Sequence, residues 1–154
     1  MRNVMKLRTL LATALLLTAA CAAGVAHAAP PANNKELVLA FFRMMFLEKN
    51  VDKAMQAYVD KGLIQHDPYL PDGADAMGDF FTSYFEQHPQ ANAEIKLVIA
   101  EGDLVMVQSL WKESPEDTGQ ALVDIFRAQN GKIVEHWAVS QDIPENPANR
   151  NTMF

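Results

Sequence analysis

Ala121 to Asp142, ALVDIFRAQNGKIVEHWAVSQD, decides how the chain folds. Two runs rich in β-branched and aromatic residues flank Asn130-Gly131, and Asn-Gly between such runs is the strongest short-range signal for a β-hairpin. An acid, Asp124, interrupts the first run, and a histidine, His136, interrupts the second. Polar groups set among strand residues this apolar need partners, and a pocket wall is one place that supplies them. Two turn geometries fit AQNGK. A two-residue turn puts Asp124 opposite Trp137, whereas a three-residue loop with Gly131 in the left-handed region puts it opposite His136. The second is preferred here because it gathers Leu122, Asp124, Phe126, Val134, His136, Ala138 and Ser140 on one face, an apolar wall with a few polar groups. Val123, Ile125, Trp137 and Val139 then form an outer patch that a second subunit would cover, which predicts a homodimer.

Working outward, the period changes at Pro89. Beyond it, Ile95, Leu97 and Ile99 alternate with Glu94 and Lys96, Glu101-Gly102-Asp103 turns the chain, and Leu104 to Trp111 forms a further strand before the polar SPEDTG loop. Before it the spacing is helical. Asn33 with Glu36 three residues on reads as a helix start. The helix that follows, to about Glu48, is apolar nearly all round and so is buried on most sides. Asn50 opens a second helix with Val51, Ala54, Met55 and Tyr58 on one face, ending at Gly62. Leu63 to Gly73 is a short extended piece and a loop, since Pro68 and Pro71 forbid helix. A third helix, from about Ala74 to Gln87, carries Met77, Phe80, Phe81, Tyr84 and Phe85 at helical spacing. Three helices followed by four antiparallel strands predict an α+β fold, with the helices on one face of a sheet.

The first residues have a different character. Arg2, Lys6 and Arg8 precede the apolar run LLATALLLTAACAAGVA and then Ala26-His27-Ala28, the layout of a secretory signal peptide with its A-x-A cleavage site. This predicts a signal peptide over residues 1–28, a domain over 29–154, and a periplasmic or secreted protein. The run is short for a span of ~20 apolar residues. Cys21 after Thr18-Ala19-Ala20 leaves a lipoprotein as the alternative, and lipidation there is the one route to a membrane. Cleavage removes three of the 13 Lys and Arg and none of the 19 Asp and Glu. An acidic domain without a basic run has no electrostatic footprint for nucleic acid. If Cys21 leaves with the signal, disulfides cannot supply stability.

The chain resembles the SnoaL-like polyketide cyclases of the nuclear transport factor two-like superfamily. The likeness rests on Leu63-Ile64-Gln65-His66-Asp67-Pro68, on VDIFR followed by NGKIVEHW, and on the terminal NTMF. It implies a cone in which helices wrap a strongly curved antiparallel sheet and leave a pocket at the open end. Ketosteroid isomerases share that cone. The resemblance sets Asp67, before Pro68, where they keep a general base, and Asp124 where they keep an oxyanion-binding acid. Phe42 falls where their oxyanion tyrosine stands, which removes a donor and argues against ketosteroid isomerisation. Similarity to the SnoaL cyclases makes Asp124 the base, but their partnering histidine in the preceding strand is missing, with Gln108 and Leu110 nearby. The family also tends to read His-Trp-Asp-Val where this chain has His136-Trp137-Ala138-Val139.

The candidate catalytic set is therefore Asp124, His136, His66 and Asp67, with Phe42, Phe80, Tyr84, Gln108, Leu122 and Phe126 as substrate-binding candidates. For each of the four a structural role stands beside the chemical one: Asp124 paired with His136 or Arg127, His66 and Asp67 in a loop turn where Asp67 caps backbone amides, His136 packed in the core. No spacing such as H-E-x-x-H suggests a metal, and no Gly-rich phosphate loop or nucleophile elbow occurs. Two functions remain open, neither needing a cofactor. In one, Asp124 abstracts a proton α to a carbonyl while His136 or His66 polarises the oxygen, giving an aldol-type cyclisation, isomerisation or dehydration. In the other, the cone binds a small apolar ligand, or only dimerises, and does no chemistry.

Overall fold

The computed structural model describes residues 33–154, so the expected leader, its cleavage site and Cys21 lie outside the described residues. Helix α1 spans Asn34–Phe42, and the Asn33 side chain caps it by accepting from the Glu36 backbone N–H at 3.0 Å. The chain then widens into a π-helical turn, Arg43–Leu47, in which the Glu48 N–H donates to the Arg43 carbonyl at 2.9 Å. That extra residue per turn rotates the face that follows it. Lys49, at φ 53°, ends the helix.

Helix α2 spans Val51–Tyr58, and its first residues are held by the Asn50 backbone carbonyl, which accepts from Ala54; the Asn50 side chain makes no cap bond. The expected end at Gly62 is a misplacement. The chain goes extended at Val59 and forms strand β1, Val59–Gln65, because a β-branched residue followed by Gly62 is a weak helix end and a free sheet edge is available to it. Helix α3, Ala74–Gln87, has the expected bounds.

Strands β2 (Asn92–Glu101), β3 (Leu104–Lys112), β4 (Gln120–Gln129) and β5 (Lys132–Asp142) form the expected antiparallel run. The sheet order is β1-β5-β4-β3-β2, with β1 added parallel to β5, so the sheet has five strands and is mixed rather than purely antiparallel. Three helices cover one face in the cone-shaped α+β arrangement. The core between them holds Phe41, Phe42, Met45, Leu63, Met77, Val105, Val107, Phe126 and Ile133, all fully buried.

The last hairpin corrects the expected register. Gln129 pairs with Lys132 across a two-residue turn whose Asn130 (φ 52°) and Gly131 (φ 76°) both lie in the left-handed region, as a type I′ turn requires. A bulge then shifts the pairing between Arg127 and Ala128, leaving Val134 as the extra residue of β5. Asp124 consequently faces Ala138, and Phe126 faces His136. The bulge reverses the parity that the tight turn would have imposed. Leu122, Asp124, Phe126, His136, Ala138 and Ser140 thus share the inner face after all, while Ile133 rather than Val134 enters the core.

On the outer face, paired residues form apolar rows across the sheet: Ile99, Met106, Ile125 and Trp137, then Leu97, Gln108, Val123 and Val139. Leu97, Ile99 and Val139 are 46%, 53% and 69% exposed. The C-terminal residues lie near this face: Gln108 Nε2 donates to the Met153 carbonyl at 3.0 Å, and the Lys96 ammonium sits 5.5 Å from the Phe154 ring centre. Among the described residues, no helix is long and apolar enough to cross a membrane.

Candidate active site

The alternation of β4 and β5 aims Asp124 and His136 at the same space beneath the helices. Both are almost wholly buried, at 3% and 4% exposure. His136 Nε2 lies 3.1 Å from Asp124 Oδ1, a diagonal contact across the hairpin rather than a directly opposed pair. The imidazole stacks on Phe126, with ring centres 4.9 Å apart and planes at 22°. Its other nitrogen, Nδ1, lies 2.9 Å from Gln65 Oε1, which β1 delivers by pairing Gln65 with His136.

Asp124 and His136 open onto a cavity of about 220 Å³. Phe46, Leu70, Phe80, Phe81, Trp111, Leu122 and Ala138 give it an apolar body, and Asp67, Tyr84, Glu113, Gln120 and Ser140 add polar groups. The Tyr84 hydroxyl accepts from the Trp111 indole N–H at 3.2 Å and donates to Glu113 Oε1 at 3.2 Å. Burial pushes the Tyr84 phenol above its usual value, so it remains a donor at neutral pH. A larger groove of about 720 Å³ lies along α2 and α3, but Asp52, Asp60, Asp75, Asp79 and Lys132 make its wall charged.

Three buried side-chain atoms lack a hydrogen-bond partner among the described residues: Asp124 Oδ2, Ser109 Oγ and Gln65 Nε2. Ser109 is completely buried and shares the inner face of β3 with Val107, the residue opposite Asp124. Buried polar atoms left unpaired cost free energy, so each calls for a physical explanation, a catalytic or ligand-binding role among them. No group of three or more His, Cys, Asp or Glu among the described residues is placed to hold a metal ion.

Several candidates stand elsewhere than expected. His66 follows Gln65 in the strand alternation and so points to the outer face, where it stacks on Trp137 with ring centres 4.5 Å apart and planes at 2°. Its Nε2 lies 2.8 Å from Glu135 Oε1, and Arg127 links Glu135 to Asp103 through contacts of 2.7 and 2.8 Å. Hydrogen bonding from Arg127 first, and from His66 second, holds the Glu135 carboxyl below its ordinary value. His66 is therefore an outer-face residue and is not at the cavity mouth.

Gln108 also faces outward, because Val105, Val107, Ser109 and Trp111 take the inner positions of β3. Phe42 is buried in the core without lining the cavity, and Phe46, within the π-helical turn, lines it instead. Phe126 supports His136 from the core side rather than forming the cavity wall. Phe80, Tyr84 and Leu122 line the cavity. Asp67 lines it too, while its Oδ1 accepts from the Tyr69 backbone N–H at 2.9 Å, as a loop-capping acid does.

The sequence reading passed over Gln65, Ser109 and Trp111. The quoted segment Leu63 to Pro68 contained the signal for Gln65, but only the pairing of β1 with β5 shows which of Gln65 and His66 faces inward.

The profile of the SnoaL-like domain matches residues 26–136. Among solved structures, a SnoaL-like polyketide cyclase from Agrobacterium tumefaciens is similar over 71% of this chain and 91% of its own, at 12% identity and a TM-score of 0.59. A nuclear-transport-factor-two-like protein of unknown function from Burkholderia xenovorans aligns over 75% of this chain and 88% of its own, at 20% identity and a TM-score of 0.59. A cystatin-fold protein from Novosphingobium aromaticivorans aligns over 70% and 97%, at 17% identity and a TM-score of 0.62. At these identities the likeness is one of fold. No curated protein matches the chain in sequence.

Proposed function

Because the chain belongs to the SnoaL-like domain family, we propose that it is a cofactor-independent cyclase or isomerase, with Asp124 abstracting a proton α to a carbonyl of a small apolar substrate. One observation carries this reading: a carboxylate at an apolar cavity, held through Oδ1 by His136, keeps its other oxygen buried and without a hydrogen-bond partner among the described residues. Such an oxygen is poorly solvated and free to take a proton. The electron pair left on the substrate would become an enolate, and the Tyr84 hydroxyl, which also lines the cavity, could serve its oxygen by turning its hydrogen away from Glu113. An apolar cavity of roughly 150 Å³ holds benzene, so one of about 220 Å³ suits a single ring or a small fused pair such as 1-indanone rather than a larger multi-ring skeleton.

A second reading, ligand binding without chemistry, is favoured by Phe42, which supplies no hydroxyl from the first helix. The first reading answers it with Tyr84 from α3.

The two tryptophans provide the test of the pocket. Trp111 donates to Tyr84 in the cavity wall, whereas Trp137 lies on the outer face under His66. Titration with 1-indanone should move the Trp111 indole N–H signal in a ¹H–¹⁵N spectrum and leave that of Trp137 in place. Equal movement of both, or of Trp137 alone, would locate binding outside the cavity.

The proposal includes export and self-association. Export predicts a mature chain beginning at Ala29, which intact-protein mass spectrometry reads directly; a diacylated Cys21 at the N-terminus would establish the lipoprotein route instead. Exposed Leu97, Ile99 and Val139, in rows with Val123, Ile125 and Trp137, support a homodimer through the outer sheet face. Val139→Asp should then weaken association by about tenfold or more, and a wild-type protein sedimenting as a monomer at micromolar concentration would end the idea.

A further inference from the structure

We infer that Gln65 is a positioning residue that fixes the tautomer of His136, so that His136 Nε2 and Asp124 Oδ1 hold one proton between them while Oδ2 stays free for the substrate. The inference deepens the proposed proton transfer and rests on that reading for its purpose, although its geometry stands alone.

Gln65 Oε1 lies 3.0 Å from the backbone nitrogen of Asp67 and 2.9 Å from His136 Nδ1. A backbone amide only donates, so the side-chain atom facing it must be the carbonyl oxygen. The orientation of the Gln65 amide is thereby set without reference to the histidine. An oxygen so placed can only accept from Nδ1, and Nδ1 therefore carries a hydrogen. The strand and loop around Gln65 are themselves pinned: the Gln65 N–H donates to Asp72 Oδ1 at 2.7 Å, and the His66 N–H donates to the His136 carbonyl at 2.8 Å.

With Nδ1 protonated, Nε2 faces Asp124 Oδ1 at 3.1 Å with either a proton or a lone pair. If Asp124 is a carboxylate, Nε2–H donates to it; if Asp124 is an acid, Oδ1–H donates to Nε2. One proton occupies the contact in both states, and the pair is neutral in both. The opposite tautomer, with Nδ1 bare, would set a lone pair against the Gln65 oxygen in a buried place and lose that hydrogen bond.

The charge balance of the proposed step follows. From the ion-paired state, Oδ2 gains the proton that the α-carbon loses, the electron pair stays on the substrate as an enolate, and Nε2 keeps its proton. Imidazolium and enolate then offset one another. The other groups facing this space are Asp67 from the loop after β1, Tyr84 from α3 and Glu113 after β3; Glu135 is turned away with Arg127.

The test is the ¹⁵N spectrum of the imidazoles in the intact protein, read through long-range ¹H–¹⁵N correlations. In the wild type, His136 Nδ1 should show a protonated-type signal across the pH range in which the fold persists. Gln65→Leu should let the Nε2–H tautomer appear. Gln65→Glu should keep the Nδ1 proton, because a carboxylate oxygen accepts from Nδ1–H as the amide oxygen does. A bare Nδ1 in the wild type would overturn the inference, and so would a Gln65→Leu spectrum identical to the wild type. If Gln65→Leu does not fold, the wild-type spectrum alone decides. Failure of the proton-transfer reading would leave this spectrum unchanged, so the two ideas fall separately.

Discussion

Phe126→Ala should destabilise the domain by about 3–5 kcal/mol, as large-to-small changes at fully buried aromatics do. Phe126 has no exposed surface, meets Phe41 edge-on at 5.6 Å, and lies under the His136 ring. Truncation removes its contacts with α1 and opens a void that two packed elements cannot close without moving. It also takes away the flat support that holds the imidazole against Asp124, so the His136 signals should broaden or shift even where the variant remains folded. Urea unfolding of the two proteins reads the first effect. A loss below about 1 kcal/mol would mean that the interior repacks freely, which a single close-packed core does not do.

Asp124→Asn should lower the rate of proton abstraction by about 10²–10⁴-fold, the range that a positioned general base contributes, while leaving the fold in place. Asparagine keeps the shape of the side chain and can still offer an oxygen or an amide hydrogen to His136 Nε2. It cannot accept a proton from carbon. Stability should stay within about 1 kcal/mol, because the change exchanges one hydrogen-bonded polar group for another of the same size. The unfolding midpoint and the rate must therefore be measured on the same preparation. A variant that loses both together would identify Asp124 as a structural acid, which is the alternative reading of its burial.

The parts of the fold that were legible in the sequence are those written in local spacing. Helix α3 was bounded correctly because five apolar residues at helical intervals sit between Gly73 and Pro89. The inner face of the final hairpin was also identified, although through the wrong turn: Asn130-Gly131 makes the two-residue turn it is suited to, and the bulge at Val134 restores the parity. A bulge has no local signature here, since it answers to the curvature of the whole sheet.

Features set by distant partners were hidden. Gln65 and His66 exchange roles because β1 pairs with β5, and the Gln65–His136 contact spans 71 residues of sequence. Gln108 is a wall candidate only through the resemblance, as a neighbour of the position of the cyclases' histidine, and the alternation of β3 turns Ser109 inward and Gln108 outward. Phe42 yielded its place to Phe46 because the π-helical turn adds a residue to the helical phase. In each case the residue type was read correctly, and the direction of its side chain depended on an element elsewhere in the chain.

The most direct measurement of the central claim is deuterium incorporation at the α-carbon of 1-indanone in D₂O, followed by ¹H NMR with wild-type protein and with Asp124→Asn. The proposed site predicts saturable exchange above the buffer rate for the wild type, and a rate at or near buffer for the folded variant. Wild-type exchange no faster than buffer, in a protein whose Trp111 signal shows 1-indanone bound, would contradict it.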